Sequence, residues 1–547
     1  MTASDLVSPF HQGERAAQER AGVGGVAKSA GGFIRDYLPE QHRDFHTALP
    51  FLVISAGDAA GRRWITLIEG PDGYATSPGP RHLQFATGLD AADPLAQAVQ
   101  TGTDIGVLGI ELASARRNRF SGHIKPNGAG LAIDIHQTFG NCPQYIHQRA
   151  WRRVKTTPGP ALHSAALSTE QMTLINGADT MFIGSGHHGA AGALSNGYDA
   201  SHRGGTPGFV RVVNDKHLQI PDYAGNNFFN TIGNIHCDPR IGLLFIDFET
   251  GGLLHVSGRA TVDWNPANSH DSGARRMINV DIEAVIDRPA AVSLRWAKQD
   301  AMSRWLKVEK RVKESADITS FYLTAVDGRP LDTFQAGQHL TVEVQIPGQK
   351  GTSKRSYSLS ASPADDRFHR ISVKREGNGL VSQFLHDQLH EGSLIKAQKP
   401  AGDFVIPCSN CPLVLVSAGV GLTPMISALH SVAADERPVW FVHGARSSND
   451  HAMRDEVAAL VLANPAAEQI IAYSRPQDGD IKGRDYHASG RITAAMLHDL
   501  NAGPHAHYML CGPTSFLADI QNGLEARGVT PERIHFEVFG PTGSNVT

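Results

Sequence analysis

L-V-L-V-S-A-G-V-G-L-T-P, residues 413–424, changes its pattern halfway, and that change decides how the C-terminal part of the chain folds. Leu413–Ser417 is a continuous apolar run, as expected of a strand covered on both faces in a parallel sheet. Gly419 and Gly421 then permit backbone to lie close to a pyrophosphate. Thr423 is placed to cap, Pro424 suits a first helical turn, and a helix is expected over Met425–Val432. A lone G-x-G is a weak signal; here it follows a strand and opens a helix, the context the chemistry needs. Strands at Val439–Gly444, Glu468–Tyr473 and His507–Cys511 alternate with helices at Ala452–Leu462 and Pro513–Arg527. Residues 408–547 are therefore expected to form an α/β, Rossmann-like nucleotide-binding domain.

Working toward the N-terminus, Lys354–Ser360 reads K-R-S-Y-S-L-S. Arg355 offers a planar fork for a diphosphate, Tyr357 an aromatic face with a hydroxyl, and Ser358 a short donor. Short strands (Thr319–Leu323, His339–Val344, Ser356–Leu359, Ile371–Lys374) predict a six-stranded antiparallel barrel over residues 301–407. Gly377–Ser382 leads into a helix at Gln383–Leu389, whose free N–H groups suit a diphosphate. Cys408 and Cys411 precede a strand rather than opening a helix, which favours a boundary loop over a redox dithiol.

These motifs together resemble the ferredoxin–NADP reductase-like family, most closely the reductase portion of flavohaemoglobins, over residues 305–541. The resemblance implies FAD on Arg355, Tyr357 and Ser358, with Lys374, Gly379, Val381 and Ser382 around the diphosphate. It implies NAD(P)H on Gly419, Gly421, Thr423 and Pro424. It also sets Cys511, Gly512 and Pro513 at the nicotinamide, and Glu537 and Phe539 in the stretch covering the flavin. Ser358, Tyr357, Cys511 and Glu537 become the candidate catalytic residues, and Arg446 the candidate selector between NADH and NADPH.

Residues 1–300 are β-patterned after a polar arm at 1–45 that contains one short helix around Gly13–Arg20. His82-Leu-Gln-Phe85 returns as His217-Leu-Gln-Ile220, an offset of 217 − 82 = 135. Ile105-Gly-Val-Leu108 returns as Ile241-Gly-Leu-Leu244, and Ser121-Gly122 as Ser257-Gly258, both at 136 (241 − 105 and 257 − 121). Three anchors in one order predict two tandem copies of a small all-β barrel, at 46–165 and 166–300. In the second copy, Asp199–Phe209 sets turn glycines beside Ser201 and Arg203, a candidate phosphate cradle. With Ile220–Asn227 and Ile232–Arg240, this text resembles the split β-barrels of the pyridoxamine 5′-phosphate oxidase-like family. That implies FMN near Ser201, Arg203, Gly204, Asn226 and Asn234. Asn227 departs from the family, which commonly has an Arg there, so a cofactor-free barrel stays open. His187 and His188 could serve a haem, although His pairs in loops are more often solvated. Cys142 reads as part of a structural turn.

The composition bounds the function. With 19% charged residues and a net charge of −4 over 547 residues, there is no electrostatic case for nucleic acid or an anionic membrane. No apolar run reaches the roughly 18 residues of a membrane span, and no signal peptide is visible. Five scattered cysteines fit a reducing cytoplasm. The expected function is a flavin-dependent oxidoreductase. It would pass a hydride from NAD(P)H to FAD and electrons onward to an FMN- or substrate-binding split barrel, or to an external acceptor. The alternative is a barrel that only docks a redox partner protein or binds haem. An oligomer is compatible with either.

Overall fold

The computed structural model describes residues 8–25, 34–140, 145–189, 193, 195–267, 269–271, 273–298, 303–347, 352–377, 379–407 and 410–538. They divide into two compact units, one before and one after residue 300. Among the described residues no helix is long and apolar enough to cross a membrane.

Among the described residues the first unit holds two large antiparallel sheets and a two-stranded one. One is built from Phe51–Gly57, Arg63–Glu69, Ala75–Gly79, His82–Phe85, Thr103–Glu111, Arg116–Asn127 and Gly130–Gly140. The other uses Thr180–His187, Gly197–Gly204, Arg211–Asn214, His217–Asp222, Arg240–Asp247, Gly252–Asp263 and Arg276–Arg288, with Leu162–Ser164 added beside its last strand. Taken in chain order, the seven strands of each sheet lie side by side in the same arrangement: second, first, fifth, sixth, seventh, fourth, third.

The repeated Ser-Gly pairs have a structural reason. The register of the sixth against the seventh strand shifts between Ser121 and Gly122, and again between Ser257 and Gly258. A Cβ on Gly122 would fall 2.3 Å from the carbonyl oxygen of Asp134, and on Gly258 2.2 Å from that of Asp281. Glycine is what lets the bulge close.

Burial on both faces explains the apolar runs. Along the first strand, Leu52, Ile54 and Ala56 fill the core of their own sheet. Phe51 and Val53 turn the other way and meet Phe182, Leu244 and Leu253 of the second copy, with Trp296, in a shared apolar seam. Trp296 lies on Leu294–Lys298, which pairs with Arg149–Arg153.

The polar arm is packed where it is described. Helix Gln12–Arg20 lies against helix Asn230–Cys237, burying Glu14, Ala17 and Gln18, and Gln18 donates to the carbonyl of Phe228 at 3.0 Å. Helix Glu40–Ala48 runs across residue 45, the expected end of the arm.

In the second unit the antiparallel strands lie in the order Ser353–Ser358, His339–Val344, Leu394–Ala397, Arg304–Lys313, Ile318–Ala325, His369–Lys374. A bridge between Leu359 and Ile371 joins the two ends of this order and closes the barrel. The α/β part has six parallel strands in the order Ala488–Ser489, Ala467–Tyr473, Val439–Ala445, Leu413–Ala418, His507–Gly512, Ile534–Val538. Glu537 thus belongs to the last strand of this sheet, beside Cys511 in register.

Candidate functional site

In the parallel sheet the strand order reverses between Leu413–Ala418 and His507–Gly512, and a crevice opens at the carboxyl ends of such strands. The turn Gly419–Gly421 enters helix Leu422–Ser431, whose N-terminus has no side-chain cap. The N–H of Leu422, the first helical residue, already donates to the carbonyls of Gly419 and Val420 in the preceding turn. A Cβ on Gly421 would lie 2.2 Å from the carbonyl oxygen of Cys511, so only glycine brings this turn against the neighbouring strand end. Thr423 does not cap: it is already helical and donates to the carbonyl of Val420 at 3.1 Å. Pro424 sits in the first turn as expected. Gly512 ends its strand and Pro513 precedes helix Thr514–Glu525.

Three expected residues converge at this strand end. Ser358 Oγ donates to Glu537 Oε2 at 3.3 Å, and Glu537 neighbours Cys511 in the sheet. Burial pushes the Glu537 carboxyl up to about 8, with Asp403 adding to the rise and the Ser358 hydrogen bond opposing it. Burial, reinforced by Glu537, holds the Cys511 thiol well above its ordinary range. Burial thus disfavours charge on both the Glu537 carboxyl and the Cys511 thiol beside the Ser358 hydroxyl.

The diphosphate residues are less uniform. Arg355 is exposed, and its guanidinium donates to the carbonyl of Lys354 at 2.7 Å. Tyr357 is partly buried, which pushes its phenol up. Gly379 precedes helix Leu380–Gln388, again with no side-chain cap. Ser382 Oγ donates to the Gly379 carbonyl at 2.9 Å, and Lys374 pairs with Glu376 at 3.1 Å. Val381 packs its side chain into the barrel core, leaving only backbone for a ligand. Phe539 and Cys408 lie outside the described residues. Arg446 is 2.5 Å from Asp450.

Sequence reading missed a clamp between barrel and parallel sheet. Arg370, on strand His369–Lys374, forks onto both oxygens of Glu456 at 2.7 and 2.8 Å, and His430 reaches the same carboxylate at 2.7 Å. Its partners are 86 residues apart, with no local pattern to betray them.

The first unit has its own cleft, with about 110 Å³ of accessible space, and Ser201, Arg203, Gly204 and Asn226 are among the residues that line it. The expected turn cradle is instead a strand: Gly197–Gly204 pairs with Thr180–His187, and strand alternation sets Ser201 and Arg203 on one face. Asn234 lies elsewhere, bonded to His11 and Ser185 at 2.9 and 3.0 Å. His188 approaches Asp104 at 3.2 Å, and His187 stacks on His11.

The cleft also gathers Arg117 and Arg119 from the first copy and Arg276 from the second. Four arginines thus line it against one lining carboxylate, Asp222, which holds Arg203 at 2.6 Å and Arg276 at 2.7 Å. Arg119 bonds to Asp199 at 2.6 Å, Ser201 at 2.9 Å and Asn230 at 3.0 Å. Tyr145, Asn227 and Phe229 all hold left-handed backbone around the rim, at φ 66°, 60° and 62°. Such strain gathers at functional sites, and Asn tolerates it better than the Arg expected at 227. The run R-R-N-R at 116–119, with Arg117 and Arg119 alternating around Asn118, was the signal that could have pointed to them.

Residues 305–406 match the family described as oxidoreductase FAD-binding domain, and residues 415–522 the oxidoreductase NAD-binding domain. The second unit is therefore an FAD- and NAD-binding oxidoreductase module of the ferredoxin reductase fold. The chain is 40% identical over 243 residues to a flavohemoprotein of Deinococcus radiodurans, covering 44% of this chain and 60% of that protein. It is 42% identical over 237 residues to a flavohemoprotein of Bacillus subtilis, covering 43% and 58%. It thus spans about three-fifths of the length of these relatives. A solved FAD/NAD-binding domain of a nitric oxide dioxygenase from Vibrio cholerae aligns at 36% identity over 44% of this chain and 99% of that one, with a TM-score of 0.40.

Proposed function

We propose that the chain is an NAD(P)H-dependent flavoprotein oxidoreductase whose second unit takes up a hydride and whose first unit carries an acceptor site for a phosphate-bearing flavin such as FMN. The observation that carries this reading is the meeting of Ser358, Cys511 and Glu537 at the strand end where the sheet order reverses.

The residues fit the cofactors. The uncapped helix start at Leu380 would supply N–H donors for one diphosphate, and the exposed Gly419 turn would let backbone approach the other. FAD, when bound, supplies hydride acceptance and the release of electrons singly or in pairs. Arg355 and the Gly379 turn would hold its diphosphate, and Tyr357 would cover an edge of the ring. Ser358 Oγ and the Glu537 carboxyl would hold a hydrogen bond and a proton beside the reacting atoms. Cys511 would stay a thiol and serve as a neutral wall, because burial and Glu537 both disfavour the thiolate. In the first unit, Arg119, Arg203, Arg276 and Ser201 would bind a phosphate in the cleft.

Extraction of the purified chain, with FAD and FMN quantified separately, tests the assignment. One of each per chain is the expected result. FAD alone would reduce the first unit to a docking module for an external acceptor, and no FAD would overturn the reading. Ser358→Ala should slow flavin reduction by NADH about tenfold in stopped-flow, about 1.4 kcal/mol of barrier, with little change in nucleotide affinity. Unchanged hydride transfer would remove Ser358 from the chemistry.

A further inference from the structure

We propose that His11, His187 and Cys237 form a site for a borderline-soft divalent cation, Zn²⁺ foremost, that fastens the N-terminal helix to the second sheet. The three residues come from the ends of three elements: the start of helix Gln12–Arg20, the end of strand Thr180–His187 and the end of helix Asn230–Cys237. Among the described residues they are the group of His, Cys and carboxylate side chains whose ligand atoms meet closely, all within 4.8 Å of one another.

The distances suit a tetrahedral ion. Zn–S near 2.3 Å and Zn–N near 2.0–2.1 Å put ligand atoms roughly 3.5 Å apart. His11 Nδ1 is already 3.9 Å from Cys237 Sγ, and the His11 and His187 rings lie 4.3 Å apart between centroids. Small rotations of three side chains close the remaining gap and leave a fourth position for water.

The surroundings prepare the ligands. Asn234 Oδ1 is 2.9 Å from His11 Nε2, while the N–H of Gly13 donates to His11 Nδ1 at 3.1 Å. Both bonds demand the tautomer with its proton on Nε2, which leaves the Nδ1 lone pair on the Gly13 N–H with Cys237 Sγ 3.9 Å away. An imidazole whose far nitrogen donates to an oxygen is the usual arrangement for a metal ligand. Asn234 is itself held by Ser185 at 3.0 Å. Burial lowers the pKa of both imidazoles and raises that of the Cys237 thiol, which the ion must therefore deprotonate against its surroundings. Neutral imidazole is the ligating form. Gly13 makes the approach sterically feasible, since a Cβ there would lie 2.6 Å from Cys237 Sγ. On binding, the ion would replace the Gly13 N–H at His11 Nδ1, and Cys237 would release its thiol proton to solvent, one proton per ion.

Cobalt titration of the full, chelator-treated chain tests this. The expected result is one Co²⁺ per chain with a thiolate-to-metal charge-transfer band and the intense visible bands of tetrahedral Co²⁺, both erased by added Zn²⁺. Cys237→Ser should lose the charge-transfer band. His187→Ala should weaken binding at least tenfold, and Asn234→Ala about 10–100-fold. Far-UV circular dichroism checks that each variant is folded, and His187→Ala, at a partly exposed strand end, keeps the test available if another variant is not. No charge-transfer band, or one that persists in Cys237→Ser, would overturn the proposal.

Discussion

The internal repeat sets two places of the first unit in the same backbone frame and fills them with opposite chemistry. Arg119 pairs in register with Leu108, and His255 with Leu244, one repeat offset later (244 − 108 = 136). Ser201 is set by Ile183 and Leu243, as Thr66 is by Ile54 and Val107 (243 − 107 = 136). At one place, Arg119 reaches across to Ser201 of the other copy. At its mate, His255 reaches across to the carbonyl of Ile65, beside Thr66, at 3.0 Å. There the charges close on themselves: Asp93 takes Thr66 and Arg288 at 2.5 and 2.6 Å, and burial keeps His255 neutral. The two sheets share one strand order, and side-chain charge makes one place a cleft and the other a core.

The largest effect expected from breaking this asymmetry comes from Arg119→Ala. The pair Arg119–Asp199 is nearly enclosed, at 7% and 11% side-chain exposure. Removing one partner of such a pair strands the other charge, at about 3–5 kcal/mol. His255→Ala, in the matching frame, should lose about 1–3 kcal/mol from one buried hydrogen bond and packing. Urea unfolding measures both, and phosphate binding by calorimetry should disappear only in Arg119→Ala. Equal losses in the two variants would mean that the cleft is no more than a polar core.

The same contrast explains what could be read from the chain beforehand. The second unit's motifs are contiguous: Gly419 to Pro424 and Arg355 to Ser358 each sit on a few residues, and their positions follow from local period and turn chemistry. The repeat was visible because its anchors are bulges and strand starts that backbone geometry restricts. The cleft was half visible. Ser201 and Arg203 were found through glycines at 204, 205 and 208 that suggested a turn, yet hydrogen bonding to Thr180–His187 drew the first of them into a strand. Arg119 lies 82 residues from Ser201, and no local pattern ties them together. Glu14 lay in a segment too polar to suggest burial, because its partners, Asn230 and the His11 N–H, are supplied by tertiary packing and the helix cap.

Glu14 gives a second way to separate the two places, of intermediate size. Burial raises its pKa from 4.5 to about 8, with Asp199 adding to the rise and Arg119 opposing it. Between those values the folded chain holds a proton that the unfolded chain has lost, so raising the pH favours unfolding. This contribution to stability is fully present below about pH 4.5 and gone above about pH 8. Its slope is at most about 1.4 kcal/mol per pH unit. Glu14→Gln should remove that slope from the unfolding of the first unit. Glu537 imposes a similar slope on the second unit, and the difference between wild type and Glu14→Gln cancels it. A pH profile unchanged by Glu14→Gln would show that the acid beside the cleft already ionises near its ordinary value.

The smallest effect belongs to an arginine with the same kind of partner and the opposite surroundings. Arg446 follows strand Val439–Ala445, the place where the ribose end of a bound nucleotide would be selected. It pairs with Asp450 at 2.5 Å and approaches Asp317 at 3.9 Å, but its side chain is 62% exposed. Asp450 also accepts from Ser447 at 3.0 Å, so it keeps a partner if Arg446 moves. An exposed pair of this kind is worth about 0.2–1 kcal/mol. Arg446 can therefore turn to a 2′-phosphate at little cost, while Asp450 remains to accept from the 2′-hydroxyl of NADH. Both nucleotides should be used, with NADH modestly preferred. Arg446→Ala should raise KM for NADPH about three- to tenfold, leave KM for NADH within about twofold, and change the stability of the second unit by less than about 1 kcal/mol. Higher ionic strength should shrink the NADPH effect, because the charges are in contact with solvent. Steady-state kinetics with both nucleotides at two salt concentrations decides it. A wild-type preference for NADPH above tenfold, about 1.4 kcal/mol, would mean that the Asp450 pair does not restrain Arg446.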